Sequence, residues 1–295
     1  MPRKLRDIVR NRPVLAYYLL VFLISWGTLL IAMGGPSGFP APAGEMLRLM
    51  PLAIVALLAG PSLSGLLMTG LALGRAGYGD LLARLRTRRT GLRSYAVALL
   101  AAPLAMMALP LLASTIWPRF LPRILTDADR GPILGLALGA GLSSGLFEEI
   151  GWTGFAIPML LRRRGVLGTG LVTGFLWCAW HLIVNLWSSG DAAGRLAPDL
   201  FLHSFAFSAA VLPAFRVHMV RLYARSGSLF LAILMHLSLT AGNVLFVPAD
   251  VSGPAGAAWS LMVSLPLWAA VAARSRRARP GGPENPRVAD PSATA

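Results

Sequence analysis

The stretch FEEIGWTGF places two adjacent carboxylates, Glu148 and Glu149, in a run with no other charge between residues 131 and 161. Two further segments bring imidazoles into similarly apolar surroundings: FLWCAWHL carries His181, and MHLSLTAGN carries His236, Thr240 and Asn243 at i, i+4 and i+7. The last three share one helical stripe and can present donors together. A carboxylate beside an imidazole can take a proton from water and return it to a leaving amine. A second imidazole with a hydroxyl or amide can donate to a developing oxyanion. That is the equipment for hydrolysing an amide without a covalent intermediate. The same Glu148, His181 and His236 could instead be three zinc ligands with an open water position. The His-Glu-x-x-His zinc spacing is absent, so spacing alone leaves the metal open.

Such groups need elements that hold them at one place. The chain of 295 residues is 56% hydrophobic and 13% charged, with a mean hydropathy of +0.65. This composition predicts an all-α, polytopic integral membrane protein. About eight apolar runs, the first at residues 14–33 and the last at 255–273, reach the roughly 20 residues a crossing helix needs. The connecting segments alternate in charge: 22 of the 27 Lys and Arg fall on one side. That bias puts both termini in the cytoplasm. It also accounts for the net charge of +15 without nucleic acid, because no basic face carries interleaved aromatics.

The expected organisation is a basic cytoplasmic N-terminus at residues 1–13, one membrane domain at 14–273 with its core motifs in 131–247, and a disordered basic cytoplasmic tail at 274–295. The first apolar run is about twice the length of a signal-peptide core, so it reads as a retained helix. Residues 74–95 have leucines at helical spacing beside arginines and predict an amphipathic helix on the cytoplasmic face. Clustered glycines and serines near residues 60–65 and 135–145 predict close helix packing. Cys178 stands alone and reads as a buried small hydrophobe. The 26 arginines against one lysine suit a GC-rich bacterial genome and a multi-pass protein of its inner or plasma membrane, in contact with membrane lipids.

Helix rise places the ionisable groups in depth. Counting about 1.5 Å per residue from the flanking arginines, Glu148 lies about 21 Å in, His181 about 25 Å and His236 about 17 Å. Three helices thus bring three such groups within about 10 Å of one depth. Intramembrane acids are expensive, which makes a shared site the natural reading. Consecutive helix positions diverge by about 100°, so Glu148 and Glu149 need different roles. His203 and His218, nearer the ends, read as interhelical hydrogen bonders, and Trp152, Trp177, Trp180 and Trp187 as packing or interfacial anchors.

At these residues the chain resembles the CPBP family, the CAAX-protease and bacteriocin-processing intramembrane peptidases, which include type II CAAX prenyl endopeptidases. Glu148 and Glu149 match the family's Glu-Glu-x-x-x-Arg, Trp177 with His181 its aromatic and histidine, and His236 its His-x-x-x-Asn or Asp. The resemblance implies an eight-helix intramembrane endopeptidase, glutamate-type or metal-dependent. Glu148 and His181 would activate water, and His236 with Thr240 would hold the oxyanion. Thr153 stands where the family has Arg, and Thr240 where it has Asn or Asp. The first departure leads to an expectation that Glu149 is neutral and bonds to Thr153; the second, that Thr240 or Asn243 substitutes for the missing amide. The substrate expected is a peptide or membrane protein, cut on the cytoplasmic leaflet side. A catalytically impaired adaptor or immunity-type protein, and a proton-coupled transporter, are the alternatives, and the sequence does not define an oligomeric state.

Overall fold

A computed structural model describes residues 11–277. Among these residues the long elements are all helices: α1 (Pro13–Ala32), α2 (Ala43–Arg86), α3 (Leu92–Ser114), α4 (Arg130–Gly151), α5 (Ile157–Trp187), α6 (Pro198–Ser226), α7 (Leu229–Phe246) and α8 (Gly253–Arg277). Seven stretches are long and apolar enough to cross a membrane. The largest, Arg130–Trp187, has 58 residues and joins α4 to α5 through a π-helical segment, Trp152–Ala156.

That stretch cannot be one straight rod. On a straight helix Glu148 and Trp177 would stand about 43 Å apart. Instead the Trp177 indole N–H donates to Glu148 Oε2 at 2.8 Å. The chain doubles back at Gly165, where φ is 62° and ψ is −175°, a conformation that favours glycine because a Cβ would clash. Divided there, the seven stretches become eight segments.

A similar break at Gly74 folds the end of α2 back on itself. Tyr78 Oη donates to the Leu66 carbonyl twelve residues earlier at 2.9 Å. The returning segment is the amphipathic piece expected from its leucines and arginines. It docks on the bundle, where Arg84 Nη2 donates to the Gly154 carbonyl at 2.8 Å and Nη1 to Tyr223 Oη at 3.0 Å. A π turn leaves carbonyls without their usual α-helical partners, and Arg84 supplies a donor to one of them.

Small residues set the helix spacings. A Cβ on Gly145 would lie 2.7 Å from the Ile233 carbonyl oxygen, so α4 and α7 touch backbone to backbone. Gly151 meets Pro61 of α2 more closely still. Helix α1 is part of this core: Ser25 Oγ donates to the Leu57 carbonyl at 2.6 Å, and Trp26 Nε1 to the Trp180 carbonyl at 3.1 Å. Helix α8 continues to Arg277, so it takes in the first residues of the expected tail. The rest of that tail, and most of the expected basic N-terminus, lie outside the described residues.

Candidate active site

Glu148 and Glu149 occupy the last turn of α4, just before the π segment. Both are buried, and they face different partners. Glu149 Oε1 accepts from Arg216 Nη1 of α6 at 2.8 Å and from His236 Nδ1 of α7 at 2.7 Å. Its Oε2 accepts from the Thr153 hydroxyl. The expectation of a neutral Glu149 is therefore corrected: the hydrogen bond to Thr153 is present, but the cation missing at position 153 arrives from another helix. Arg216 is fully buried, and its guanidinium also stacks on the Trp177 ring at 4.0 Å. Arginine stays protonated and is well suited to a buried ion pair with an aromatic face.

Glu148 is held differently. Its Oε2 accepts indole N–H bonds from Trp177 at 2.8 Å and Trp152 at 3.3 Å. Its Oε1 lies 3.7 Å from His236 Nε2, beyond a direct hydrogen bond. One oxygen is fixed and the other is left available.

The two imidazoles have their tautomers set by what Nδ1 meets. His181 Nδ1 lies 2.9 Å from the Trp177 carbonyl, and His236 Nδ1 lies against the Glu149 carboxylate. Both partners only accept, so Nδ1 carries the proton in each ring, and each Nε2 is left for chemistry. The Trp177 ring lies edge-on to both histidines, at centroid distances of 5.8 and 4.9 Å.

One cavity of about 560 Å³ is lined by Glu148, Trp177, His181, His236, Thr240 and Asn243. Six of the eight residues singled out in the sequence thus meet at one place. Glu149 and Thr153 sit behind it and buttress His236. Ser144 Oγ donates to Thr240 Oγ1 at 2.9 Å, which leaves the Thr240 hydroxyl proton free to be offered elsewhere. On the opposite wall Asn185 donates to Ser208 Oγ at 2.9 Å. His203 also lines the cavity, with Nδ1 at 2.9 Å from the Val251 carbonyl. His218 contacts the Leu267 carbonyl at 3.1 Å, a helix-to-helix bond of the kind its sequence position predicts.

The three atoms a zinc ion would use, Glu148 Oε1 and Nε2 of His181 and His236, are not gathered as a ligand set in this arrangement. Among the described residues no three His, Cys, Asp or Glu side chains form a group able to hold a metal ion.

Sequence reasoning missed Arg216 and underrated two tryptophans. The charge count places Arg216 with the cytoplasmic arginines, although Leu212 to Phe215 before it and Val217, Met219, Val220 and Leu222 after it are apolar. An arginine ten residues inside the end of a largely apolar helix is itself a signal of an intramembrane partner. Trp152 and Trp177 are buried packing residues, one of the two roles expected of them, and both in addition bond Glu148.

None of the curated proteins matches the chain. The model of one protein family does, and its matched segment begins at the start of α4 and ends inside α7, spanning the fold-back at Gly165, Arg216 and His236. The family signature and the cavity therefore coincide: residues 130–242 match the family described as Type II CAAX prenyl endopeptidase Rce1-like, which is membrane-embedded.

Proposed function

We propose that this protein is an intramembrane endopeptidase in which Glu148 activates water directly, without a metal. The observation that carries this reading is the asymmetric setting of Glu148. Two indole protons anchor Oε2 while Oε1 faces a cavity shared with His181 and His236.

The steps balance as a simple hydrolysis. Water, oriented by Glu148 Oε1 and His181 Nε2, gives a proton to Glu148 as its oxygen attacks the peptide carbonyl carbon. The oxyanion accepts from the Thr240 hydroxyl, the Asn243 amide and His236 Nε2 in its protonated form. Glu149 is the counter-charge behind that imidazole. Glu148 then returns the proton to the leaving amine, and the C–N bond breaks. Both family departures have a counterpart in space: Arg216 for the motif arginine, and the Ser144–Thr240 pair with Asn243 for the motif amide. This supports an active enzyme over an adaptor.

The test compares peptide termini in membranes of cells carrying the parent or Glu148→Gln. Termini present only with the parent are expected; identical sets in both would overturn the reading.

A further inference from the structure

The cavity has a direction. On each of four helices its lining residues stop at one depth and continue only toward one end. On α4 they are Leu136, Ser144 and Glu148, with nothing from Glu149 onward; on α5 they begin at Trp177 and run to Asn185. On α6 they run from His203 to Leu212, and on α7 from His236 to Val244, with Val247 just past its end. The cavity then continues past Pro248 and Ala249 to Val251, and to Arg123 in the connection before α4.

The other end is closed. Beneath Glu148 lie the Arg216–Glu149 pair, buried Trp152 and Phe155, and Arg84 bonded to the Gly154 carbonyl. The floor is a buried ion pair under aromatic rings.

Charge labels the two ends. The closed end carries Arg75, Arg84, Arg86, Arg88, Arg89, Arg93, Arg162, Arg163, Arg164 and Arg225, with Asp80 as its acid. The connections at the open end hold Arg48, Arg119, Arg123, Arg130 and Arg195 against Glu45, Asp127, Asp129, Asp191, Asp199 and Asp250. Loops rich in arginine stay in the cytoplasm, and those that cross do not carry such an excess. We propose that the catalytic cavity opens to the non-cytoplasmic face, contrary to the cytoplasmic-side cleavage expected from the sequence, and that its substrate is an extended segment of an exported or membrane-anchored polypeptide presented from that side. The substrate half of this proposal rests on the peptidase reading. The lining combines polar Asn185, Ser204 and Ser208 with apolar Leu239 and Val244, which suits a strand that offers both backbone polar groups and side chains to its site.

The position of the mouth is tested by thiol access. Ala249→Cys, Ser204→Cys and Arg163→Cys are each made with Cys178→Ala, and a charged maleimide is applied to intact cells and to inverted membrane vesicles. A charged reagent does not cross the hydrocarbon readily, so Ala249→Cys and Ser204→Cys are expected to react about tenfold or more faster in intact cells, and Arg163→Cys faster in inverted vesicles. Ala249→Cys and Ser204→Cys reacting only in inverted vesicles would overturn the proposal, as would all three reacting from one face. Labelling needs no turnover, so this outcome is separate from whether the protein cleaves peptides.

Discussion

Arg216 does from α6 what a motif arginine one turn beyond Glu149 would do from α4 itself. Both routes end at the same carboxylate, because what Glu149 needs is a guanidinium within hydrogen-bond reach and not a particular chain position. Removing that cation leaves a buried charge alone, so Arg216→Met is expected to destabilise the protein by about 3 to 5 kcal/mol and to abolish activity. Adding Thr153→Arg to Arg216→Met is expected to recover a large part of both losses, read by thermal unfolding in detergent and by cleavage. Thr153→Arg alone would set two guanidiniums beside one acid and is expected to lower stability. Recovery through the second site is the informative arm, since a merely space-filling Arg216 would not be rescued from another helix. At the oxyanion wall, Thr240→Val keeps the shape and removes the hydroxyl, and is expected to lower kcat by about 10² with KM little changed. Thr240→Asn should keep or raise it. Incubation with a strong zinc chelator is expected to leave cleavage unchanged, because the proposed proton acceptor is Glu148 and no metal ligand set is required.

The π segment is the element that turns these residues toward one another. A π turn inserts an extra residue into the helical register, which changes the facing of everything after it relative to Glu148. Trp152 and Thr153, at the start of the insertion, still reach back four residues as in an ordinary helix, to Glu148 and Glu149. Gly151 at its threshold lies against Pro61, where a Cβ would stand 2.2 Å from a backbone oxygen. Neither partner can move as a flexible side chain would, so Gly151→Ala is expected to destabilise by about 1 to 3 kcal/mol and to reduce activity as α2 is pushed away. Such elements mark where the sequence stopped being legible. Hydropathy gave the helices, and helix rise from arginine to acid gave the shared depth of Glu148, His181 and His236, because both depend on length alone. Which face each residue takes depends on insertions like Trp152–Ala156 and on breaks like Gly74, and 3.6-residue periodicity does not report them. Arg216 was hidden for a related reason: its value lies in a contact between α4 and α6, 67 residues apart.

At the scale of the whole molecule, the site depends on helices that contribute nothing to its lining. Helix α1 supplies Tyr17 and Tyr18, whose rings lie 5.8 and 5.3 Å from that of Trp152. Trp152 in turn packs edge-on against Trp180 at 5.9 Å, and Trp180 offers its carbonyl to Trp26 of α1. These contacts run from the first helix to the side chain that fixes Glu148 Oε2, and buried aromatic pairs add about 0.5 to 1.5 kcal/mol each beyond their area. Loosening one of them should therefore affect catalysis as well as folding. Tyr18→Ala removes a ring from the back of Trp152 while leaving the Arg216–Glu149 pair and the cavity wall intact. It is expected to lower kcat severalfold, to leave KM nearly constant, and to cost about 3 kcal/mol or more of stability, as for a buried aromatic truncated in place. Deleting residues 13–32 altogether would uncover the Trp152 and Phe155 cluster, and is expected to yield a chain degraded in the membrane. The diagnostic comparison is between Tyr18→Ala and Tyr18→Phe. Tyr18 Oη has no hydrogen-bond partner among the described residues, so if the ring is what matters, Tyr18→Phe should match the parent in kcat and melting temperature alike.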